Sequence, residues 1–282
     1  MPRKQPTARQ ERLGRELRKL REAAGLTARE AAGLLGAVSV TMSQIESGVA
    51  GVSEARVRRL AAHYACTDSE LIDALVEMAT DRTRGWWEAY RGVLPPPFLD
   101  LAELEHHATY VDEIGTAHVT GPLQTEDYAR AVFAYWRPEL PESELEPRVE
   151  HRMRRKEVLA RGGEAPYTAV LHEFVLRTRV ADGRVARAQL DEVLQQSERP
   201  GVTVRVIPFD VDGFAGASAA LLYAGGRVPA LDTVQKDVPS GSALVDAAAQ
   251  LQSVRTLFRK VESVSLEPAQ SRDYIHRLAK EL

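Results

Sequence analysis

The most informative segment of the chain is LTAREAAGLLGAVSVTMSQIESG, residues 26–48. Thr27 and Glu30 have the spacing of a capping box, in which each side chain satisfies a backbone N–H that the first helical turn leaves unpaired. Gly36 ends that helix after a few turns, and a second short helix is predicted over residues 40–47. Two helices joined by a few residues with glycine at the turn form a helix-turn-helix unit. The pattern therefore predicts a helix whose N-terminal residues can contact base edges in the major groove of DNA.

The segments on either side of this unit have the periodicity of further short helices. One apolar stripe recurs at positions i, i+4, i+7 and i+11, with arginines between its members: Leu13, Leu17, Leu20 and Ala24. This spacing places the apolar side chains on one face of an amphipathic helix. Ser53 and Asp68 are suited to cap two later helices, because their side-chain oxygens accept hydrogen bonds from unpaired backbone N–H groups. Residues 1–80 are therefore predicted to form an all-α domain.

Length and composition limit the classes of protein that the chain can belong to. With 282 residues it suits two domains, and its 44% hydrophobic and 27% charged residues are typical of a globular protein. No apolar run approaches the ~18 residues that span a bilayer, and the start lacks the apolar segment of a secretory signal. Cys66 is the only cysteine, which excludes an intrachain disulfide and a paired-cysteine metal site. We expect a reduced, cytoplasmic protein with no membrane segment, no metal site and no cofactor.

The net charge of −3 is distributed unevenly along the chain. Residues 1–21 contain eight basic and two acidic side chains, a net charge of +6. Residues 1–80 carry 12 basic and 10 acidic side chains, and residues 81–282 carry 25 basic and 30 acidic ones. A basic head on an acidic body indicates one surface for a polyanion and another surface for a different partner. A solvated first helix explains the charge equally well, so charge alone leaves both interpretations open.

A connection between two domains is predicted at residues 81–101. Its three consecutive prolines, Pro95-Pro96-Pro97, favour a stiff extended spacer, because proline removes a backbone donor and fixes φ. This boundary gives a helical domain at residues 1–80 and a second domain at residues 102–282.

The second domain has the pattern of a mixed α/β fold. Val202, Val204 and Val206 alternate with polar residues, which is the period-2 pattern of a strand. A helix at Val185–Gln196 separates this strand from an earlier one, so the two strands are expected to be parallel, and two later strands are expected to return antiparallel. The predicted strands are Tyr167–His172, Val202–Ile207, Ala219–Tyr223 and Leu231–Gln235, with an extended segment at Tyr110–Val119. The other predicted helices are Thr125–Tyr135, Glu144–Ala160, one with a stripe of Leu244, Ala248, Leu251, Val254 (or Arg255) and Phe258, and a last one marked by Tyr274, Ile275 and Leu278.

Several motifs in residues 13–76 have the spacing of a known family. They are Leu17-Arg18, Leu20-Arg21, Gly25-Leu26-Thr27, Ala31-Ala32, Leu35-Gly36, and Ser43-Gln44-Ile45-Glu46 followed by Gly48. In these motifs the chain resembles the Cro/cI-type (XRE) helix-turn-helix family. The resemblance implies a lambda-repressor-like, all-α DNA-binding domain in a sequence-specific transcriptional regulator whose partner is a double-stranded DNA operator.

The resemblance also implies roles for individual side chains. The base-reading positions on the exposed face of the recognition helix are Ser39, Val40, Ser43 and Gln44. The amide of Gln44 can address adenine, the serines can donate or accept hydrogen bonds, and Val40 can contact a thymine methyl group. The candidates for phosphate contacts are Arg15, Arg18 and the other arginines of the first helix, with Thr27, Arg29, Thr41, Ser53 and Arg56. Met42 and Ile45 are expected in the core, and Glu46 is expected to stabilise the motif's own turn.

Three positions depart from the pattern of the family. Val38 stands where the family usually has serine or threonine to cap the recognition helix, and Ala28 and Ser39 stand where it often has glutamine. If Ser39 caps the helix instead, the helix begins one residue later and its reading face is shorter.

Motifs in the rest of the chain indicate a narrower group. They include Gly85-Trp86-Trp87-Glu88, Gly121-Pro122-Leu123-Gln124-Thr125 and Val206-Ile207-Pro208-Phe209. In these the chain resembles WhiJ-like regulators of actinobacteria, whose C-terminal domain is described as antitoxin-like. The resemblance implies a repressor whose second domain carries homodimer contacts and receives a small protein encoded by an adjacent gene. The stripe from Leu244 to Phe258 is one candidate dimer surface, and a helix that faces the core would show the same pattern.

Other classes of protein fit the sequence to different degrees. A small-molecule-sensing repressor needs a pocket in the second domain, for which Arg205, Tyr223 and Gln235 are weak candidates. An antitoxin that autoregulates its operon would form a tight complex with an adjacent toxin. An enzyme is not expected, because the polar pairs, such as His172-Glu173, lack the spacing of a zinc site, and the sequence has no GxSxG elbow.

Overall fold

A computed structural model describes residues 5–217, 220–238 and 241–282. The chain divides into two compact units, Met1–Trp86 and Trp87–Leu282. The division falls within the predicted connection at residues 81–101.

The first unit has five described α-helices, in the order that the sequence predicts. They are α1 (Ala8–Ala23), α2 (Ala28–Leu34), α3 (Ser39–Glu46), α4 (Glu54–His63) and α5 (Ser69–Thr80). The predicted capping box begins α2: the Thr27 N–H donates to the Glu30 carboxylate at 2.8 Å, and the Glu30 N–H donates to the Thr27 hydroxyl at 3.2 Å. A second capping box, formed by Thr7 and Gln10, begins α1 and is not among the sequence predictions. The all-α architecture expected for this part of the chain is confirmed.

The core of the first unit contains most of the apolar stripe predicted for the first helix. Leu13 and Leu17 are buried, Leu20 is half-buried, and Ala24, which caps α1, is exposed. Apolar residues of the other helices complete the core, among them Met42, Ile45, Val57, Leu60 and Leu75. The expectation that Met42 and Ile45 point inward is therefore confirmed.

The second unit combines seven described α-helices with six strands. The helices are α6 (Pro96–His107), α7 (Glu126–Trp136), α8 (Glu142–Arg154), α9 (Glu173–Arg177), α10 (Gly183–Ser197), α11 (Ala248–Ser263) and α12 (Pro268–Glu281). The strands are β1 (Tyr110–Gly115), β2 (Tyr167–His172), β3 (Val202–Ile207), β4 (Leu221–Gly225), β5 (Thr233–Val238) and β6 (Gly241–Val245). Short 3-10 helices occupy Trp86–Tyr90, Gly121–Leu123, Arg155–Glu164 and Pro229–Leu231.

The strands form one mixed sheet in the order β3-β2-β1-β4-β5-β6. Strand β2 lies between β1 and β3 and is parallel to both, while β4, β5 and β6 pair antiparallel. The parallel pair β2–β3 around helix α10 and the antiparallel return are both as predicted. The predicted fold class, a helical domain followed by a mixed α/β domain, is confirmed.

The proline run does not form the extended spacer that the sequence analysis expects. Pro96 and Pro97 occupy the first turn of α6, with Pro95 at its N-cap. The N–H groups of a first helical turn have no acceptor within the helix, so proline sacrifices no hydrogen bond there and its fixed φ already suits the helix. The prediction treated these prolines as helix breakers, whereas they begin a helix.

The boundaries of two other helices also differ from the prediction. Leu244 lies in β6, a strand that the sequence analysis did not predict, and α11 begins only at Ala248. Leu251 and Val254 are buried against the sheet, so this stripe faces the core and is not a free dimer surface. Helix α8 ends at Arg154, and the chain continues as a 3-10 helix.

Apolar side chains cover both faces of the sheet. One face carries Val202, Val204 and Val206, whose alternation is as predicted, and it packs against residues of α10 and α12. The opposite face carries Ile114 and Val234 and packs against α11. Because both faces are covered near the centre, the parallel strands are buried on two sides, as parallel sheets usually are.

One buried histidine makes the stability of the second unit depend on pH. His151 is buried between the rings of Tyr90 and Phe98, whose centroids lie 5.2 Å and 5.6 Å from its own. Burial, together with Arg155 and Arg152, lowers the pKa of His151 from its ordinary value of 6.5 to about 3. The unfolded chain therefore binds more protons than the folded chain below pH 6.5, and the contribution of His151 to stability is lost as the pH falls from 6.5 toward 3.

Substitution of His151 by glutamine should remove this dependence on acid. Between pH 6.5 and pH 5 the expected loss from His151 is about 2 kcal/mol, since one pKa unit corresponds to about 1.4 kcal/mol. Urea unfolding of the wild-type protein and the variant at pH 7 and pH 5 measures it, and the wild-type protein should lose more stability than the variant by that amount. The wild-type protein alone would not isolate the effect of His151. Burial raises the pKa of Glu113 to about 7, so Glu113 makes the folded protein more stable as the pH falls from 7 to 4.5, which opposes the loss from His151. Equal losses in the two proteins would contradict the assignment.

Candidate nucleic-acid interface

Helix α3 presents the predicted base-reading residues on one side. Ser39, Val40 and Ser43 are exposed, and Gln44 is half-buried. The helix begins at Ser39 with Val38 at the N-cap, so it does not start one residue late, although no side chain caps it. Positions four apart lie on the same face of a helix, and these four residues therefore form one continuous surface, which we call the α3 face.

The polar groups of the α3 face differ in how much of their hydrogen-bonding capacity is free. The Ser43 hydroxyl donates to the Ser39 carbonyl at 3.2 Å, which leaves its oxygen available as an acceptor. The side-chain amide of Gln44 makes no hydrogen bond to any other residue that the structure describes, so its donor and its acceptor are both available. An amide with a free donor and a free acceptor is the group that pairs bidentately with adenine.

A buried ion pair fixes α3 against α1. The Arg21 guanidinium donates to both carboxylate oxygens of Glu46, at 2.5 Å and 3.0 Å, and to the Leu26 carbonyl at 2.6 Å. Both side chains of the pair are only 8% exposed. Glu46 was expected to stabilise its own turn. Instead it joins the recognition helix to a residue 25 positions earlier in the chain.

The backbones of α1 and α3 are also in close contact. A Cβ atom placed on Gly14 would lie 2.4 Å from the Glu46 carbonyl oxygen and 2.7 Å from that of Ile45. Gly48 has φ +74° and lies against the backbone at Gln10, where a Cβ atom would approach to 2.8 Å. These two glycines therefore set the distance between the helix that carries the basic charge and the helix that carries the α3 face.

The arginines predicted to contact phosphates fall into three groups. Arg29 and Arg56 are exposed, and their guanidinium groups make no hydrogen bond or ion pair with the residues that the structure describes. Arg15 and Arg18 pair with Glu11 at 3.6 Å and with Glu22 at 2.7 Å, in partly or fully exposed pairs that solvent screens. Two other arginines of the first helix are unsuitable, because Arg12 and Arg21 are buried in ion pairs with Glu16 and Glu46.

The three predicted hydroxyl groups are also placed differently from one another. The Thr27 hydroxyl donates to the Glu30 carboxylate at 2.7 Å and is committed to the capping box. Thr41 is half-buried on α3. Ser53 occupies the N-cap position of α4 as predicted, but its hydroxyl forms no capping hydrogen bond. The Ser53 hydroxyl is therefore available to donate a hydrogen bond to a phosphate, whereas the Thr27 hydroxyl is not.

Two further exposed apolar side chains flank α3 in the sequence and are absent from the predicted set of contact residues. Val38 is 68% exposed and Val49 is 49% exposed, at the start of α3 and just after its end. Single exposed apolar residues are common at surfaces. With the exposed Val40 they make three exposed valines in or next to α3, and the sequence signal for Val38 was a valine where a polar cap is usual.

The structure does not bring together the three weak ligand candidates of the second unit. Arg205 on β3 donates to Glu267 at 2.7 Å and is held in that ion pair. Tyr223 on β4 donates to Asp232 at 2.5 Å and faces the layer formed with α11. Gln235 pairs in register with Leu222, so it points to the opposite face of the sheet from Tyr223. These three residues therefore do not line one pocket.

Comparison with known protein families gives one match in each of the two units of the chain. Residues 98–277, well over half of the chain, match a domain of unknown function, DUF5753. The chain belongs to the DUF5753 family. In this DUF5753 protein, residues 12–75 match a helix-turn-helix domain, which confirms the unit predicted from residues 26–48. No curated protein and no solved structure is significantly similar to the chain.

Two expected absences concern the described residues of this DUF5753 protein. None of its described helices is long and apolar enough to cross a membrane. No group of three or more histidine, cysteine, aspartate or glutamate side chains in the described ranges is arranged to hold a metal ion. The match of residues 12–75 to a helix-turn-helix domain supports a DNA-binding regulator, and the α3 face is the candidate interface of that domain.

Proposed function

We propose that this protein is a sequence-specific transcriptional repressor that binds operator DNA as a homodimer. The observation that carries the proposal is the α3 face: exposed serine and valine side chains beside a glutamine amide with free donor and acceptor. The single carboxylate of α3, that of Glu46, is buried against Arg21 and does not repel a polyanion. Base reading then depends on hydrogen bonds and on apolar contacts, chiefly through Gln44 and Val40.

Phosphate contacts supply the part of the affinity that does not depend on sequence. Arg29 and Arg56 are exposed guanidinium groups without partners among the described residues, so they can bind phosphate without first breaking an ion pair. Arg15 and Arg18 can do so after exchanging a weak exposed pair. We therefore assign the strongest phosphate contacts to Arg29 and Arg56.

Replacing Arg29 or Arg56 with glutamine should weaken binding on all duplexes to a similar extent. Each substitution should lower the slope of log K against log salt by about 1, because one phosphate contact is lost. Fluorescence anisotropy over a series of salt concentrations, on an operator and on a scrambled duplex, measures both slopes. Arg184→Gln is the matched control, since this arginine is exposed and lies in the second unit. Unchanged slopes in both variants would contradict the assignment.

Dimerisation has a physical reason in the size of the α3 face. One short helix reads few base pairs, and two copies on half-sites about 34 Å apart multiply the specificity. The resemblance to WhiJ-like regulators supports a second unit that provides the dimer contacts. Light scattering at micromolar concentration, with and without operator DNA, should give the mass of a dimer. A monomer in both conditions would contradict the dimer.

The same resemblance supports a small protein partner, encoded by an adjacent gene, that binds the second unit and changes the affinity for DNA. Co-expression of the adjacent gene product with the full chain should yield a stoichiometric complex, and adding that product should change operator binding. Absence of a complex would reject the protein partner without contradicting the proposal that the chain binds DNA.

We also propose that the protein acts by binding and not by catalysis.

A further inference from the structure

The two edge strands of the sheet in the second unit differ in how their outer backbone groups are paired. Strand β3 lies at one edge and β6 at the other. At the β3 edge, the Val206 N–H donates to the Ser271 hydroxyl at 3.0 Å, and the Leu266 N–H donates to the Val206 carbonyl at 2.8 Å. Leu266 lies between α11 and α12, and Ser271 lies on α12. The chain itself therefore covers the β3 edge at Val206.

The β6 edge has no such cover from the described part of the chain. Strand β6 pairs with β5 over five consecutive residue pairs, from Val234–Val245 to Val238–Gly241. In an antiparallel strand, every second residue directs its N–H and its C=O away from the neighbouring strand. On β6 these outward groups make no hydrogen bond to any residue that the structure describes. An unpaired row of this kind can add another extended segment through backbone hydrogen bonds.

Strand β6 also lacks the features that usually prevent an edge strand from pairing with another chain. Those features are charged side chains, proline and a bulge. Residues 241–245 are Gly-Ser-Ala-Leu-Val, which include neither a charge nor a proline, and their pairing with β5 is continuous. Leu244 is 38% exposed, and Val238 at the end of β5 is 37% exposed. An edge strand that is open in this way indicates an interface with another strand.

The distribution of charge favours a second copy of the chain as the partner of β6. The second unit has an excess of acidic side chains, so its net charge opposes the association of two copies. Residues 238–254, which include β6 and the first turns of α11, contain one charged side chain, that of Asp246, although 27% of all residues are charged. Two acidic units can meet at this stretch with little repulsion, whereas a strongly charged partner strand would find no complementary charge there.

We propose that two copies of the chain pair their β6 strands antiparallel across a two-fold axis at Ala243, which joins their sheets into one. The inference rests on the proposed homodimer and assigns its contact surface, since the stripe of α11 faces the core. In a two-fold contact both copies use the same patch. An axis at Ala243 pairs all five residues of the strand, so that Ser242 of each copy lies opposite Leu244 of the other.

A disulfide cross-link at Ala243 tests this register in the full chain. Residues directly opposite each other in an antiparallel pair have Cα atoms about 4.5–5.5 Å apart, a distance that a disulfide can span. With Cys66→Ser removing the native thiol, Ala243→Cys should give a covalent dimer under mild oxidation. Ala188→Cys, the same substitution at an exposed position of α10, should give none.

Charges introduced on β6 test the pairing without a cross-link. Ser242→Lys with Leu244→Lys places like charges opposite each other across the axis, whereas Ser242→Lys with Leu244→Glu places opposite charges there. The two variants share one substitution and differ only in the sign of the charge at position 244. Sedimentation equilibrium over a range of concentrations measures the dissociation constant of the dimer, which should be at least about tenfold higher for the variant with like charges.

The outcomes separate this inference from the homodimer on which it rests. Equal dissociation constants for the two charge variants, or no cross-link through Ala243→Cys, would place the contact elsewhere and leave the homodimer standing. A monomeric wild-type protein would contradict both the homodimer and the β6 contact. A monomer whose charge variants lose a co-expressed partner protein would assign the β6 edge to that partner and overturn the pairing of two copies.

Discussion

Substitution of Glu46 by alanine should lower the free energy of unfolding of the first unit by about 3–5 kcal/mol, the cost of leaving a buried charge without its partner. Arg21 would then lose both hydrogen bonds to the carboxylate while it remained only 8% exposed. Hydrogen–deuterium exchange of peptides from α1 and α3 in the full chain measures the local free energy of opening. The loss should appear in both helices, because the ion pair joins them.

The matched control for this experiment is Glu22→Ala. Glu22 pairs with Arg18 at 2.7 Å, and its carboxylate also lies 3.5 Å from the Arg21 guanidinium, but the Glu22 side chain is more than half exposed. Solvent screens an exposed pair and its side chains lose entropy in forming it, so this substitution should have little effect on stability. Replacing both members of the buried pair with apolar residues, as in Arg21→Met with Glu46→Leu, should recover much of the loss. Equal effects of Glu46→Ala and Glu22→Ala would contradict a structural role for the buried pair.

Substitution of Gly14 by alanine should also destabilise the first unit strongly, by about 3 kcal/mol or more, because overpacking at a site that cannot yield is costly. The added methyl group would lie 2.4 Å from the Glu46 carbonyl oxygen, and the atoms it meets belong to the backbone. To relieve the contact, α1 and α3 must move apart, which also displaces the α3 face. Operator binding should therefore fall together with stability.

Gly33→Ala provides a control with the same chemical change. Gly33 lies within α2, and apart from its chain neighbours and the backbone of its own helix no described atom lies within 4 Å of a Cβ atom placed on it. Glycine in a helix costs about 0.5–1 kcal/mol relative to alanine, so this substitution should stabilise the protein slightly. Urea unfolding and exchange of α1 peptides distinguish the two variants. A stabilising effect of Gly14→Ala would contradict the close helix contact.

The helical unit follows from local sequence patterns to a large extent. The capping box at Thr27 and the apolar spacing of Leu13 and Leu17 each act within a few residues, so the sequence alone predicts the helices they belong to. The Arg21–Glu46 pair joins residues 25 positions apart. No local pattern specifies such a partner, and only the packing of α1 against α3 brings the two together.

The second unit shows where local patterns fail. Proline breaks a helix from within but suits its first turn, and the prediction of an extended spacer took account only of the first property, whereas Pro96 and Pro97 lie in a first turn. Strand β6, with its glycine, serine and alanine, has little intrinsic strand preference and is ordered by pairing with β5. Its formation depends on a neighbour that is not evident from its own residues.

The residues of the candidate interface were predicted from the sequence, but which of their side chains are available to contact DNA was not. The resemblance to the Cro/cI-type family assigned Ser39, Val40, Ser43 and Gln44 to the exposed face of the recognition helix, and the structure places all four on one side of α3. Periodicity does not separate Arg12, which is buried with Glu16, from the exposed Arg18, because each directly neighbours a buried leucine of the stripe, Leu13 or Leu17. The availability of Arg29 depends on which carboxylates lie nearby, and only the structure gives that information.

The central claim is that the α3 face reads base edges, and Gln44 tests it most directly. Genomic footprinting of the tagged protein identifies an operator, and competition binding then compares that operator with a scrambled duplex of equal length. The wild-type protein should prefer the operator by at least about a thousandfold. Gln44→Ala should weaken operator binding by about 1–3 kcal/mol and leave binding to the scrambled duplex unchanged. Equal binding of the wild-type protein to both duplexes, or an unchanged preference in Gln44→Ala, would contradict the claim.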